Sequence, residues 1–126
     1  QLHEIMHDGF SHVPPGNVTP ATLTAAEDHI EATLAGMRGA RMDRPDAALI
    51  LAEFAHNARM AATACRMGRL VLTKDTTPTA LARLVPCFEK IVAEHRRLWL
   101  ARNRPGGLAD SLHVLETRLK ECRQPA

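Results

Sequence analysis

Two Thr-Pro pairs, Thr19-Pro20 and Thr77-Pro78, each stand directly before a stretch whose apolar residues recur every three or four positions. No other feature constrains the fold as much. Threonine caps a helix through its side-chain oxygen, proline suits the first helical position, and the apolar period marks the face to be buried. The first stretch runs from about Thr19 to Arg38, with Leu23, Ala26, Ile30, Leu34 and Met37 in phase and Gly36 and Gly39 near its end. The stretch opened by Thr77 reaches about Arg102, carrying Leu81, Leu84, Phe88, Ile91, His95 and Leu98 on one stripe and Val85, Val92 and Trp99 beside it. Pro86 lies inside it and predicts a kink or a restart, because proline removes a backbone donor and clashes with the preceding turn.

Two further segments share the helical period. Residues 44–72 follow Asp43, a suitable cap, and place Ile50, Phe54, Ala58, Ala61, Cys65 and Leu72 on one stripe flanked by Leu51, Ala55 and Ala62. So wide an apolar arc predicts burial among several neighbours, and Gly68 is read as a weak point that the helix passes through. The last segment, from Leu108 to about Glu121, puts Leu108, Leu112, Leu115, Leu119 and Cys122 on one face. Before it, Asn103-Arg104-Pro105-Gly106-Gly107 forms a sharp turn, and helices joined so closely are expected to lie antiparallel. Composition agrees, with 20 Ala and 15 Leu against 6 Val and 4 Ile. These residues favour helix over strand. The expectation is an all-α antiparallel bundle of about four main helices, residues 19–126, preceded by an irregular tail or junction, residues 1–18, with at most one helical turn.

Several function classes are disfavoured. Sixteen basic residues against 14 acidic ones give a net charge of +2, and aromatics are only 3% of the chain. Nucleic acid therefore meets neither a general positive field nor a stacking platform. No apolar run reaches the roughly 20 residues of a membrane span. Cys65, Cys87 and Cys122 are odd in number and widely spaced, which fits neither a disulfide framework nor a Cys-x-x-Cys motif; Cys65 and Cys122 fall on apolar stripes, which predicts buried reduced thiols and a cytoplasmic setting. The chain begins at Gln1 rather than Met, so it is expected to be a piece of a longer polypeptide.

Three constellations invite a chemical reading. His3-Glu4-Ile5-Met6-His7 matches H-E-x-x-H, in which two imidazoles one helical turn apart hold zinc and the Glu acts as general base. It is crowded by Gly9, and His12 falls one position short of the third ligand in the extended pattern. Glu53-x-x-His56, taken with Glu4-x-x-His7, matches half of the carboxylate-bridged two-metal site of four-helix bundles, but two further inward Glu are needed. His3, His7, Glu53 and His56 are thus the metal candidates, and a solvated or structural role for them is the simpler reading, with no cofactor expected. His95 lies within the apolar stripe of its segment and Asn57 borders that of residues 44–72; both are read as partners in structural hydrogen bonds. Glu27 and Asp28 are expected on a solvated outer face.

The most distinctive stretch runs from His95 to Ser111. It concentrates the only Trp of the chain, four Arg and a Pro-Gly-Gly turn. Trp99, Arg102, Asn103 and Arg104 are candidate interface residues, because Arg and Trp are common anchors; the alternative is helix punctuation around a core Trp. Leu98-Trp99-Leu100-Ala101-Arg102-Asn103-Arg104-Pro105-Gly106-Gly107-Leu108, with Asp110-Ser111, resembles the end of the helical C-terminal domain that follows the catalytic barrel in bacterial glycoside hydrolase family 20, the β-N-acetylhexosaminidases. Residues 55–68, Ala- and Arg-rich, are similar to the second helix of that region.

The resemblance implies an accessory domain packed on the catalytic barrel of the same polypeptide, or at a homodimer interface. It does not imply catalysis by this chain alone. The family's neighbouring Asp-Glu pair is absent, and a barrel of roughly 250 residues does not fit. The alternatives are a free-standing metal-binding bundle and a partner-binding helical adaptor.

Overall fold

A computed structural model describes residues 2–124; Gln1, Pro125 and Ala126, at the ends of the tail and bundle segments, lie outside the described residues. The chain folds as α1 (Leu2–Asp8), a 3-10 turn (Gly9–Ser11), α2 (Pro20–Met37), α3 (Ala47–Leu72), α4 (Pro78–Ala82), α5 (Val85–Arg102) and α6 (Leu108–Arg123), with no strand among the described residues. None of these helices is long and apolar enough to cross a membrane.

Both Thr-Pro signals open helices. Thr19 Oγ1 accepts from the Thr22 amide at 3.1 Å while Thr22 Oγ1 accepts from the Thr19 amide at 2.9 Å, a reciprocal cap that satisfies two backbone donors. Thr77 accepts from the Ala80 amide at 3.3 Å. Pro86 forces the restart: α4 ends at Ala82, the chain turns at Arg83 and Leu84, and Pro86 falls in the first turn of α5, where its missing donor costs nothing. The start of α3 differs from expectation. It begins at Ala47 rather than after Asp43, because Pro45 disfavours helical geometry at Arg44. Asp46 takes the cap position yet makes no capping bond, its carboxylate being held by Arg44 and Arg102.

The helix α3 is the spine. Along it Gly68 is passed without a break, and it admits two neighbours. A methyl at position 68 would stand 2.8 Å from Leu23 Cδ1 on α2 and 3.0 Å from Ile5 Cδ1 on α1. Gly68→Ala gains up to about 1 kcal/mol of helix propensity but overpacks this junction at a cost of roughly 1–3 kcal/mol. A net loss of about 1 kcal/mol in urea unfolding is expected from those two effects, and a gain would show that Leu23 and Ile5 step aside.

The N-terminal segment holds more helix than the single turn expected of it. Residues 2–8 are helical, and Ile5 is fully buried with Met6 beside it in the main core, which also takes in Met67, Phe88, Ile91 and Leu112. Beyond the helix, Gly9 at φ 70° lies against the Arg118 guanidinium, which occupies the space a side chain would need. Residues 12–19 are irregular.

Burial is uneven along α3. From Ala62 to Gly68 nearly every residue is buried, whereas between Ala47 and Ala61 only His56 is. Phe54, central to the expected stripe, is 52% exposed. The reason lies in the neighbours: α1 and the start of α2 both pack on the C-terminal half, around Gly68 and Arg66, whereas the N-terminal half meets the end of α2 and the end of α5. The free thiols Cys65 and Cys122 are buried. Burial raises both, that of Cys122 to about 11, so they are protonated and unreactive.

Candidate functional site

The turn between α5 and α6 is built from the distinctive stretch itself. Gly107 takes φ 83°, a left-handed conformation that suits glycine, and its bare Cα faces the Trp99 ring, 3.4 Å from where a Cβ would sit. Trp99 Nε1 donates to the Arg104 carbonyl at 3.0 Å, and the Asn103 amide donates to the Trp99 carbonyl at 2.7 Å. The tryptophan therefore holds the turn folded over its own ring. Next to it, Arg102 reaches α3: Nε and Nη2 donate to the two Glu53 oxygens at 2.5 and 3.0 Å, and Nη1 donates to Asp46 at 3.2 Å. This bidentate fork fixes the end of α5 to the start of α3. Arg102 holds the Glu53 carboxyl below the usual range, and Arg44 followed by Arg102 does the same for Asp46.

A polar chain crosses three helices beneath the turn. His95 on α5 hydrogen-bonds the Ser111 hydroxyl of α6 through Nε2 at 2.7 Å, and through Nδ1 it meets His56 Nε2 of α3 at 3.2 Å. Trp99 covers it, with ring centroids 6.1 Å from His95. His56 is 4% exposed, and its Nδ1 is buried without a hydrogen-bond partner among the described residues. Burial, then the neighbouring His95 and Arg59, push the His56 imidazole down to about 4, and burial lowers His95 as well. Both rings are neutral at pH 7.

A second buried polar group corrects the expected solvated face of α2. Glu27 is 8% exposed, in phase with Leu23, Ile30 and Leu34, and lies between Arg66 (2.5 Å) and Arg69 (2.6 Å) of α3. Burial pushes its carboxyl up, but the hydrogen bonds from Arg66 and Arg69 outweigh this and hold it below the ordinary range. Arg66 also reaches Glu31 at 3.3 Å and Cys87 Sγ at 3.4 Å.

The metal candidates do not converge. His3 and His7 stand on the exposed side of α1, with His7 Nδ1 2.8 Å from its neighbour Asp8. Glu53 is taken up by Arg102 and His56 by His95. The described residues contain no group of three or more His, Cys, Asp or Glu side chains placed to hold a metal ion. Of the four interface candidates, Trp99 and Arg102 are engaged within the fold, whereas Asn103 and Arg104 are exposed on the turn. Asn57, read as a structural partner, is exposed.

Away from the turn, an apolar face lies open. Phe54, Ala58 and Ala61 of α3 line a shallow trough with Ile30, Leu34 and Met37 of α2. At Ala61 it meets a second groove, formed by Leu2, Met6 and Met60 with His3 and His7 on its rim. The sequence period places Ile30, Leu34, Met37, Phe54, Ala58 and Ala61 on buried stripes, whereas the described chain leaves Phe54 exposed and the others only half-buried. Comparison of the chain with protein-family models, with curated proteins and with solved structures finds no match.

Proposed function

We propose that this chain is a non-catalytic helical domain that docks on another folded unit, and that this unit is the catalytic barrel of a family 20-like glycoside hydrolase in the same polypeptide. The open face of α2 and α3 carries the reading: a stripe with the period of a core helix, yet with Phe54 52% exposed, suits a surface that a partner covers. The sequence likeness of residues 98–111 to the family 20 helical domain supports the choice of barrel. Their internal engagement supports a scaffolding role for that stretch. Asn103 and Arg104, exposed on the turn away from this face, are candidate polar contacts to the same unit, and a homodimer through the α2–α3 face is the competing arrangement.

Docking as one body requires a bundle with fixed helix order, and we infer that the four long helices run antiparallel. In support, Glu27 meets Arg66 while Leu34 lines a cleft with Leu51, and Arg96 meets Glu116 while Glu89 meets Arg123. Contacts that reverse in order along two helices mark opposed directions.

Phe54→Glu separates docking from folding. In the isolated chain a substitution at so exposed a site shifts stability by no more than about 0.5 kcal/mol. In the parent polypeptide, loss of an aromatic anchor and burial of a charge are expected to weaken docking by about 2 kcal/mol, roughly 30-fold, read as faster release of the domain in limited proteolysis. Unchanged release would contradict the use of this face.

A further inference from the structure

The Ser111–His95–His56 chain has a proton count that works at one state only. With one N–H per ring two alignments are possible, and only one keeps every ring N–H bonded: His56 Nε2 donates to His95 Nδ1 and His95 Nε2 donates to Ser111, whereas the reverse order leaves the His56 N–H on the buried, unpartnered Nδ1. In the first order each contact has one donor facing one acceptor. A further proton on His56 puts a charged N–H on Nδ1, which is buried and has no acceptor among the described residues. A further proton on His95 makes it donate in both directions, so His56 must turn its remaining N–H into the same buried position.

We propose that this chain is a proton-operated clasp: uptake of one proton by the imidazole pair opens the α3–α5–α6 junction that seats the Asn103–Gly107 turn. The groups facing the pair do not stabilise the added charge. Arg59 on α3 opposes it, Glu94 on α5 favours it but is hydrogen-bonded to Arg97, and α6 presents the Ser111 hydroxyl. Glu53, one helical turn before His56, is already paired with Arg102.

The direction of the pH effect follows from linkage. His56 binds a proton less readily when folded, at about 4 against 6.5 in the unfolded chain. Its contribution is therefore complete above the unfolded value and is lost as pH falls from about 6.5 toward 4.

Two readouts test the clasp on the 126-residue chain. Trp99, the only tryptophan, lies beside His95 and reports the junction. Its emission is expected to change with a midpoint between pH 4 and 5 while the far-ultraviolet helical signal persists; emission that stays constant until the helices melt would overturn the proposal. In urea unfolding, the equilibrium constant should rise about 70-fold more between pH 7.5 and 4.5 in the natural chain than in His56→Gln/His95→Gln, which shares every carboxylate. Equal pH dependence would overturn it too. Should the double variant fail to fold, the His56 ring-proton titration by NMR decides: a midpoint below 5 supports the clasp, and one near 6.5 excludes it.

Discussion

Replacing Ile5 by alanine is expected to lower the free energy of unfolding by about 3 kcal/mol, in the range for deleting a buried aliphatic side chain. Ile5 is fully buried, and its Cδ1 reaches the backbone groove that Gly68 leaves open in α3. Alanine removes three carbons from a site walled by α3 and the main core, so the neighbours cannot close the gap without shifting the spine. For a domain whose whole stability is of order 5–15 kcal/mol, such a loss is large and shows directly as a lower urea midpoint. Were residues 1–18 a tail, the same substitution would register within about 0.5 kcal/mol.

The second large effect is at Glu27. Its carboxylate is 10% exposed and Arg69 is 27% exposed, so this pair is far better shielded than the half-exposed bridges elsewhere on the surface. Glu27→Gln keeps the shape but leaves two guanidinium groups facing a neutral amide. The expected cost at pH 7 is about 2–3 kcal/mol, above the 0–1 kcal/mol of an exposed bridge and below a fully buried one, since Arg66 still reaches water. The carboxyl is held below its usual value in the folded chain. Its stabilisation is thus complete above the unfolded value, about 4.5, and disappears as pH falls through the lower folded value. Thermal unfolding of the two proteins should accordingly converge on acidification; a gap that stays constant with pH would show that the pairing contributes nothing.

Local chemistry was readable where it is short-ranged. Thr19, Thr77 and Pro86 announced helix starts because capping and proline geometry depend on the next three or four residues, and Gly68 was rightly passed over because a long apolar period surrounds it. Asp43 and Asp46 are equally good caps by residue type; Pro45, which disfavours helical geometry at Arg44, decides for Asp46. The helix α1 escaped because seven residues show less than two apolar repeats, and its helicity rests on tertiary burial of Ile5 and Met6.

The polar groups divide the same way. Glu27 is in phase with Leu23 and Ile30, so its inward direction was legible; its partner Arg66, 39 residues on, was not. The same separation joins His56 to His95. Periodicity marks a face but does not name what meets it. That is also why Phe54 read as core: its stripe is real, and the described chain leaves it uncovered. The H-E-x-x-H spacing is realised on α1, with both imidazoles facing outward.

One reading tests the central proposal most directly: the coding sequence immediately upstream of Gln1. An accessory domain of a family 20-like enzyme is expected to follow, in the same frame, a barrel-length segment of roughly 250 residues that carries a neighbouring Asp-Glu pair. A stop codon there, or an upstream segment with neither barrel nor Asp-Glu pair, would contradict it.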